Sequence, residues 1–167
     1  MMSLFEFKYP NGRMTINVDE FFPTSKTKLI KLLKVIDLNY GSDRDEICAR
    51  LLNTLKEDFH DRGFNNPNLL KDIANKAVDA GTHASEIKEE VEKLEKKVKD
   101  LAVFGDKQKR KETKALLKSA KERLGEQLSN KRYYSSLFKK TKTTMDQYKG
   151  NIETVEELLN KWRTNLF

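Results

Sequence analysis

Apolar residues recur at intervals of three and four along most of this chain, except at the N-terminus, where they alternate with polar ones. In residues 4–18, LFEFKYPNGRMTINV, the series Phe5, Phe7, Tyr9, Met14, Ile16 and Val18 is interleaved with Glu6, Lys8, Arg13, Thr15 and Asn17. Alternation about Asn11-Gly12 predicts a β-hairpin with a two-residue type I′ turn, since both turn positions need positive φ. That turn pairs Tyr9 with Met14, Phe7 with Ile16 and Phe5 with Val18, and it puts all six on one face. An isolated hairpin is marginally stable, so the apolar face requires a packing partner.

After Pro23 the period becomes helical. Thr24 or Ser25 is placed to cap a helix over about 26–39 whose inner face is Leu29, Ile30, Leu32, Leu33 and Ile36, and Tyr40-Gly41 breaks it. Ser42 is placed to cap a second helix over about 43–62, with Asp43, Asp45 and Glu46 in the first turn, where the helix dipole favours negative charge. Its buried stripe is Ile47, Leu51, Leu52, Leu55 and Phe59, and Gly63 ends it. Residues 1–64 are thus expected to form a small α+β head, with ten basic residues against ten acidic.

Residues 65–167 are expected to form a helical arm. Asn66 caps and Pro67 opens a helix over about 67–104, in which Leu70, Ile73, Ala77, Ala80, Ala84, Ile87, Val91, Leu94, Val98 and Leu101 keep a heptad seam. The small residues Ala77, Ala80 and Ala84 imply a neighbour at close range. Phe104-Gly105-Asp106 marks a turn into a second helix over about 107–149, with Leu116, Leu117, Ala120, Leu124 and Leu128 at helical spacing. Phe138, Met145, Tyr148, Ile152, Val155, Leu159, Trp162 and Leu166 continue it, and Gly150-Asn151 is expected to split off a short helix over about 152–165. A short turn between two seamed helices favours an antiparallel hairpin. The expected fold class is mainly α, an α+β head followed by a long antiparallel helical hairpin or coiled coil.

Charge sharpens this picture. Of 167 residues 35% are charged and mean hydropathy is −0.75, a balance suited to long helices with narrow seams. The net charge is +7, yet residues 107–142 alone hold thirteen cations against three acids. The cations are Lys107, Lys109, Arg110, Lys111, Lys114, Lys118, Lys121, Arg123, Lys131, Arg132, Lys139, Lys140 and Lys142. The 67–104 stretch is near balance, with seven lysines and eight acids. Tyr133 joins the candidate set beside Lys131-Arg132, because basic and aromatic groups together hold phosphates and stack on bases, whereas Tyr134 falls on the seam. The expected partner is a nucleic acid or a protein–nucleic-acid complex. The same lysines also suit an acidic protein surface. The competing class is a structural or adaptor coiled coil that pairs as a homodimer through the arm, and salt separates the two, since phosphate binding weakens steeply as salt rises.

Chemistry finds little to work with. Cys48 is the only cysteine, which excludes an intramolecular disulfide and a thiolate zinc site. Glu57 and His60 have the i,i+3 spacing of di-iron bundles, but the second copy that such a site needs is missing. Asp58, His60 and Asp61 crowd a helix end, where polar groups are expected to be solvated. There is no G-x-S-x-G turn, and GDKQKRK at 105–111 lacks the GK[ST] ending of a phosphate loop. No catalytic residue, metal or cofactor is expected, and the protein is classed as a non-enzyme. MMSLFEFKYPNGR lacks the pattern of a signal peptide, and no apolar stretch is long enough to cross a bilayer, so a cytoplasmic protein without membrane contact is expected.

Two resemblances add to this. Residues 13–62, with RMTINV, two helices and GSDRDEI opening the second, resemble the ribbon-helix-helix DNA-binding family. That resemblance implies Arg13, Thr15 and Asn17 as base readers and a phosphate at the start of the second helix. The chain departs from the family in the seven residues between Val18 and the first helix, and in Asp43, Asp45 and Glu46, which repel a phosphate. FEFKYPNGR, DEFFP and LIKLLKVI resemble small accessory proteins of phages and conjugative elements from low-GC bacteria, over about the first forty residues. That resemblance implies a regulator, a relaxation-complex helper or an anti-CRISPR-like nucleoprotein inhibitor, all of which act by binding.

Overall fold

The computed structural model describes residues 4–9 and 12–164, with side chains from Asn17 onward except those of Asp19 and Phe104. Two strands, β1 (Leu4–Tyr9) and β2 (Gly12–Asn17), precede a single turn of helix, α1 (Val18–Phe21). Then come α2 (Lys26–Tyr40), a 3-10 turn (Gly41–Asp43), α3 (Arg44–Asp61), α4 (Leu69–Phe104) and α5 (Lys107–Thr164). The chain forms two compact units, Met1–Leu69 with Thr141–Phe167, and Leu70–Lys140.

In the first unit the core is helical. Ser25 caps α2, its Oγ accepting the Lys28 N–H at 3.3 Å. The 3.6-residue period turns Leu29, Leu32, Leu33 and Ile36 inward, and Gly41, at φ 41°, ends the helix. The next helix begins after Asp43 rather than at Ser42, with no side-chain cap. It buries Ile47, Cys48, Leu51, Leu52, Leu55, Asp58 and Phe59. Against these lie Met145, Tyr148, Val155, Leu159 and Trp162 from the last part of α5, together with Val18 and Phe22. Each large apolar side chain withdrawn from water here contributes about 1.5–3 kcal/mol.

The expected α+β head is therefore corrected. Residues 1–64 do not complete a core on their own, because the third helix comes from the far end of the chain, and every described core residue lies in a helix or in the short turn after α1. The expected hairpin pairing is not seen either. The strand ladder joins Phe7 to Met14 and Phe5 to Ile16, with Gly12 opposite Tyr9, two residues away from the expected register. Gly12 is thus used in the ladder instead of in a turn, and Val18 is buried in α1. Residues 10–11 and the strand side chains before Asn17, and with them the turn type and the one-face expectation, lie outside the described residues.

The expected break at Gly150-Asn151 is also absent, as α5 runs unbroken from Lys107 to Thr164. Asn151 instead faces inward, where its Oδ1 accepts the Thr24 N–H at 3.0 Å and its Nδ2 donates to the Thr24 carbonyl at 2.9 Å. Both backbone groups of Thr24, which is half-buried, are thereby satisfied by the buried Asn151 side chain. The expected end of the seam at Leu166 lies outside the described residues.

The second unit is an antiparallel helical hairpin. Gly105 makes the turn, its N–H donating to the Leu101 carbonyl at 3.0 Å, and Asp106 caps α5 by accepting the Gln108 N–H at 2.9 Å. On α4 the seam follows the expected heptads, with Ala80, Ala84 and Val91 buried and Leu70, Ile73, Ala77, Ile87, Leu94, Val98 and Leu101 half-buried. On α5 the phase differs. Thr113 and Ala120 are buried, Leu117, Leu124, Gln127, Tyr134 and Phe138 half-buried, while Leu116 and Leu128 stand 58% and 39% exposed. The series 113, 117, 120, 124, 127 leaves those two leucines beside the seam rather than in it. Lys131 takes a seam position opposite Gly81, where the space a Cβ would fill is 3.5 Å from the Lys131 stem.

Candidate polyanion-binding face

The net charge is confined to one unit. Residues 70–140 carry nineteen Lys or Arg against twelve Asp or Glu, whereas the other unit carries fourteen of each. Two ion pairs between the helices mark the two flanks of the hairpin. Lys121 Nζ lies 3.5 Å from Glu95 Oε1, and Arg123 Nη2 lies 2.9 Å from Glu90 Oε1. Residues two apart on a helix point about 200° apart, so Lys121 and Arg123 lean to opposite sides of the seam.

Steps of three and four from Lys121 along α5 collect Lys107, Lys111, Lys114, Lys118, Arg132 and Lys139 on the same flank, all of them exposed. Gly125, Leu128 and Ser135 occupy the intervening places. The same steps from Glu95 along α4 add Lys71, Lys88 and Lys99, with Glu92 the other acid. This flank therefore holds ten cations against two acids, and the opposite flank six cations against seven acids. Of the seven α5 cations, only Lys121 has an ion pair among the described residues. Exposed pairs contribute only about 0–1 kcal/mol, so even that one exchanges readily for a ligand anion.

The fourteen expected site residues thus do not form one surface. Seven share the basic flank. Lys109, Arg123, Lys140 and Tyr133 lie toward the other side, with Tyr133 62% exposed and its ring edge-on to Tyr134 at 5.1 Å. Arg110 and Lys131 belong to the seam, and Arg110 Nε is buried without a hydrogen-bond partner. Tyr134 is half-buried as expected, with Lys76 Nζ 5.6 Å from its ring centre. Lys142 belongs to the other unit.

Three features of the first unit bear on chemistry. Asp58, expected to be solvated, is 4% exposed; its Oδ2 accepts from the Tyr148 hydroxyl and from Arg62 Nε at 3.0 Å. Phe59 and Phe64 pack on Tyr148 at ring distances of 6.4 and 6.1 Å, and the Arg62 guanidinium lies 5.1 Å from its ring centre. This cluster is closed and structural. Burial, then the Asp45 carboxylate, push the Cys48 thiol up to about 12, which leaves it an unreactive thiol. A groove of about 320 Å³ has Ile30, Leu33, Leu158 and Trp162 as its floor and a rim of mixed sign from Lys34, Asp37, Glu157 and Lys161.

Among the described residues no group of three His, Cys, Asp or Glu side chains is placed to hold a metal ion, and no helix is long and apolar enough to cross a membrane. Compared with protein-family models, curated proteins and solved structures, the chain matches none.

Proposed function

We propose that the protein acts by binding rather than catalysis, and that the basic flank of its helical hairpin engages nucleic acid, free or within a nucleoprotein complex. The observation that carries this reading is the division of charge, ten cations against two acids on one flank and near balance on the other. A hairpin gains nothing from that division for its own stability. Lys107, Lys111, Lys114, Lys118 and Lys121 follow one another at i,i+3 and i,i+4, where each like-charge pair costs a helix about 0.2–0.5 kcal/mol. A bound polyanion relieves that repulsion and releases its own counterions.

The test compares two variants of the full chain that remove the same charge from opposite flanks. One carries Lys107, Lys111, Lys114 and Lys118→Gln, and the other Lys93, Lys97, Lys109 and Lys140→Gln. The first is expected to lose at least about tenfold in affinity for a mixed nucleic-acid pool at low salt, and the second to stay within about threefold. Equal losses in both would show that net charge alone governs binding and that the flank is no site. Circular dichroism of each variant checks that the helices persist.

A further inference from the structure

We infer that the ligand of the basic flank is the paired backbone of a nucleic-acid duplex, held without regard to base sequence; this rests on the function proposed above. Proteins that hold single strands combine a cationic groove with a series of aromatic rings, each stacked base contributing about 1–3 kcal/mol. The flank has no such series. Its α5 positions from Lys107 to Lys139 hold Lys, Arg, Gly, Leu and Ser, and its α4 positions from Lys71 to Ala102 hold no aromatic residue. Tyr133 lies toward the other flank, and Tyr134 and Phe138 are seam residues.

The cations themselves favour phosphate over base edges. Six of the seven on α5 are lysines, point charges without the planar fork that reads guanine, and the flank offers no Asn or Gln to read adenine. Two helices side by side measure roughly 20 Å across, too wide for a major groove of about 12 Å. The flank must therefore ride on the backbones.

Spacing points the same way. From Lys107 to Lys139 the helix rises about 48 Å at about 1.5 Å per residue. A duplex presents a phosphate about every 1.7 Å of axis, twice the density of one strand, and it is already straight. A flexible strand would have to be extended against its entropy to meet the same row of charges.

The experiment titrates the full-length chain into four labelled probes of about 24 base pairs or nucleotides, longer than the flank's reach. They are a DNA duplex, the same duplex with scrambled sequence, an RNA duplex and single-stranded oligo-dT. The DNA or RNA duplex, or both, should bind at least about tenfold tighter than the single strand. Scrambling should change affinity less than about twofold, and the log–log salt slope should fall at about −4.5 to −6.3 for about five to seven phosphate contacts. A preference between the DNA and RNA duplexes identifies the source of the backbone. Binding of oligo-dT as tightly as the duplexes, or strong dependence on sequence, overturns this inference and leaves the proposed function standing. Failure to bind any of the probes at low salt overturns the proposed function itself.

Discussion

Tyr148 donates its hydroxyl hydrogen to the buried carboxylate of Asp58, 90 positions away in the chain, and so fastens α5 to α3 inside the first unit. Tyr148→Phe keeps the ring contacts with Phe59 and Phe64 and leaves Asp58 with Arg62 as its remaining hydrogen-bond donor among the contacts described. Loss of a partner for a buried polar group costs about 1–3 kcal/mol. The expected outcome is a lower urea midpoint with an unchanged helical spectrum in buffer, and a midpoint equal to the parent's would show the hydroxyl to be dispensable.

The glycines of the second half of the chain divide by what surrounds them. An added Cβ meets no atom within 4 Å at Gly125 or Gly150, and both lie inside α5. Gly125→Ala and Gly150→Ala should each stabilise the protein by up to about 1 kcal/mol, the helix-propensity difference. At Gly105 a Cβ would stand 2.5 Å from Leu101 Cδ2 and 2.8 Å from its backbone, so Gly105→Ala must distort the turn. Thermal melts of the three single variants should place the first two above the parent and the third below it.

Cys48 links stability to alkaline pH. Its thiol is raised from 9.0 to about 12 in the folded protein, so between those values the folded state keeps a proton that the unfolded state releases. Stability from this group is therefore intact below pH 9.0 and is lost as pH rises toward 12. Other groups titrate in the same range, so the measurement is a difference. Cys48→Ala should lose less stability than the parent between pH 8.5 and 10.5, and parallel curves for the two would contradict the assignment. A thiol reagent at about pH 8 should label the parent only in denaturant.

Much of the hairpin was legible in the heptads. The α4 seam is apolar at every position, so spacing alone places it. The α5 seam was not legible, because Thr113, Gln127 and Lys131 occupy it while Leu116 and Leu128 lie outside. A pair of helices buries only a narrow strip, which tolerates a lysine stem inside and a leucine in water. The surplus of charge on 107–142 is a matter of composition and visible at once, but its division between flanks depends on the true phase of that seam. Asp58 was signalled in principle. Leu51, Leu55 and Asp58 follow the helical period of the buried stripe, yet the tyrosine that makes its burial tolerable is too remote in sequence to be paired with it. At the N-terminus, a shift of two residues keeps every strand residue on its face, so alternation cannot choose between the register centred on Asn11-Gly12 and the one found.

The first unit is assembled from the two ends of the chain, with the hairpin inserted between them. During synthesis, Leu29, Leu33, Leu51 and Leu55 leave the ribosome long before Tyr148, Val155 and Trp162 exist to cover them. The hairpin, whose contacts are local, is complete while its neighbour is still unfinished, since local contacts close at less entropic cost than distant ones. A premature stop near the C-terminus would therefore do its damage at the opposite end of the sequence, uncovering helices that were translated first.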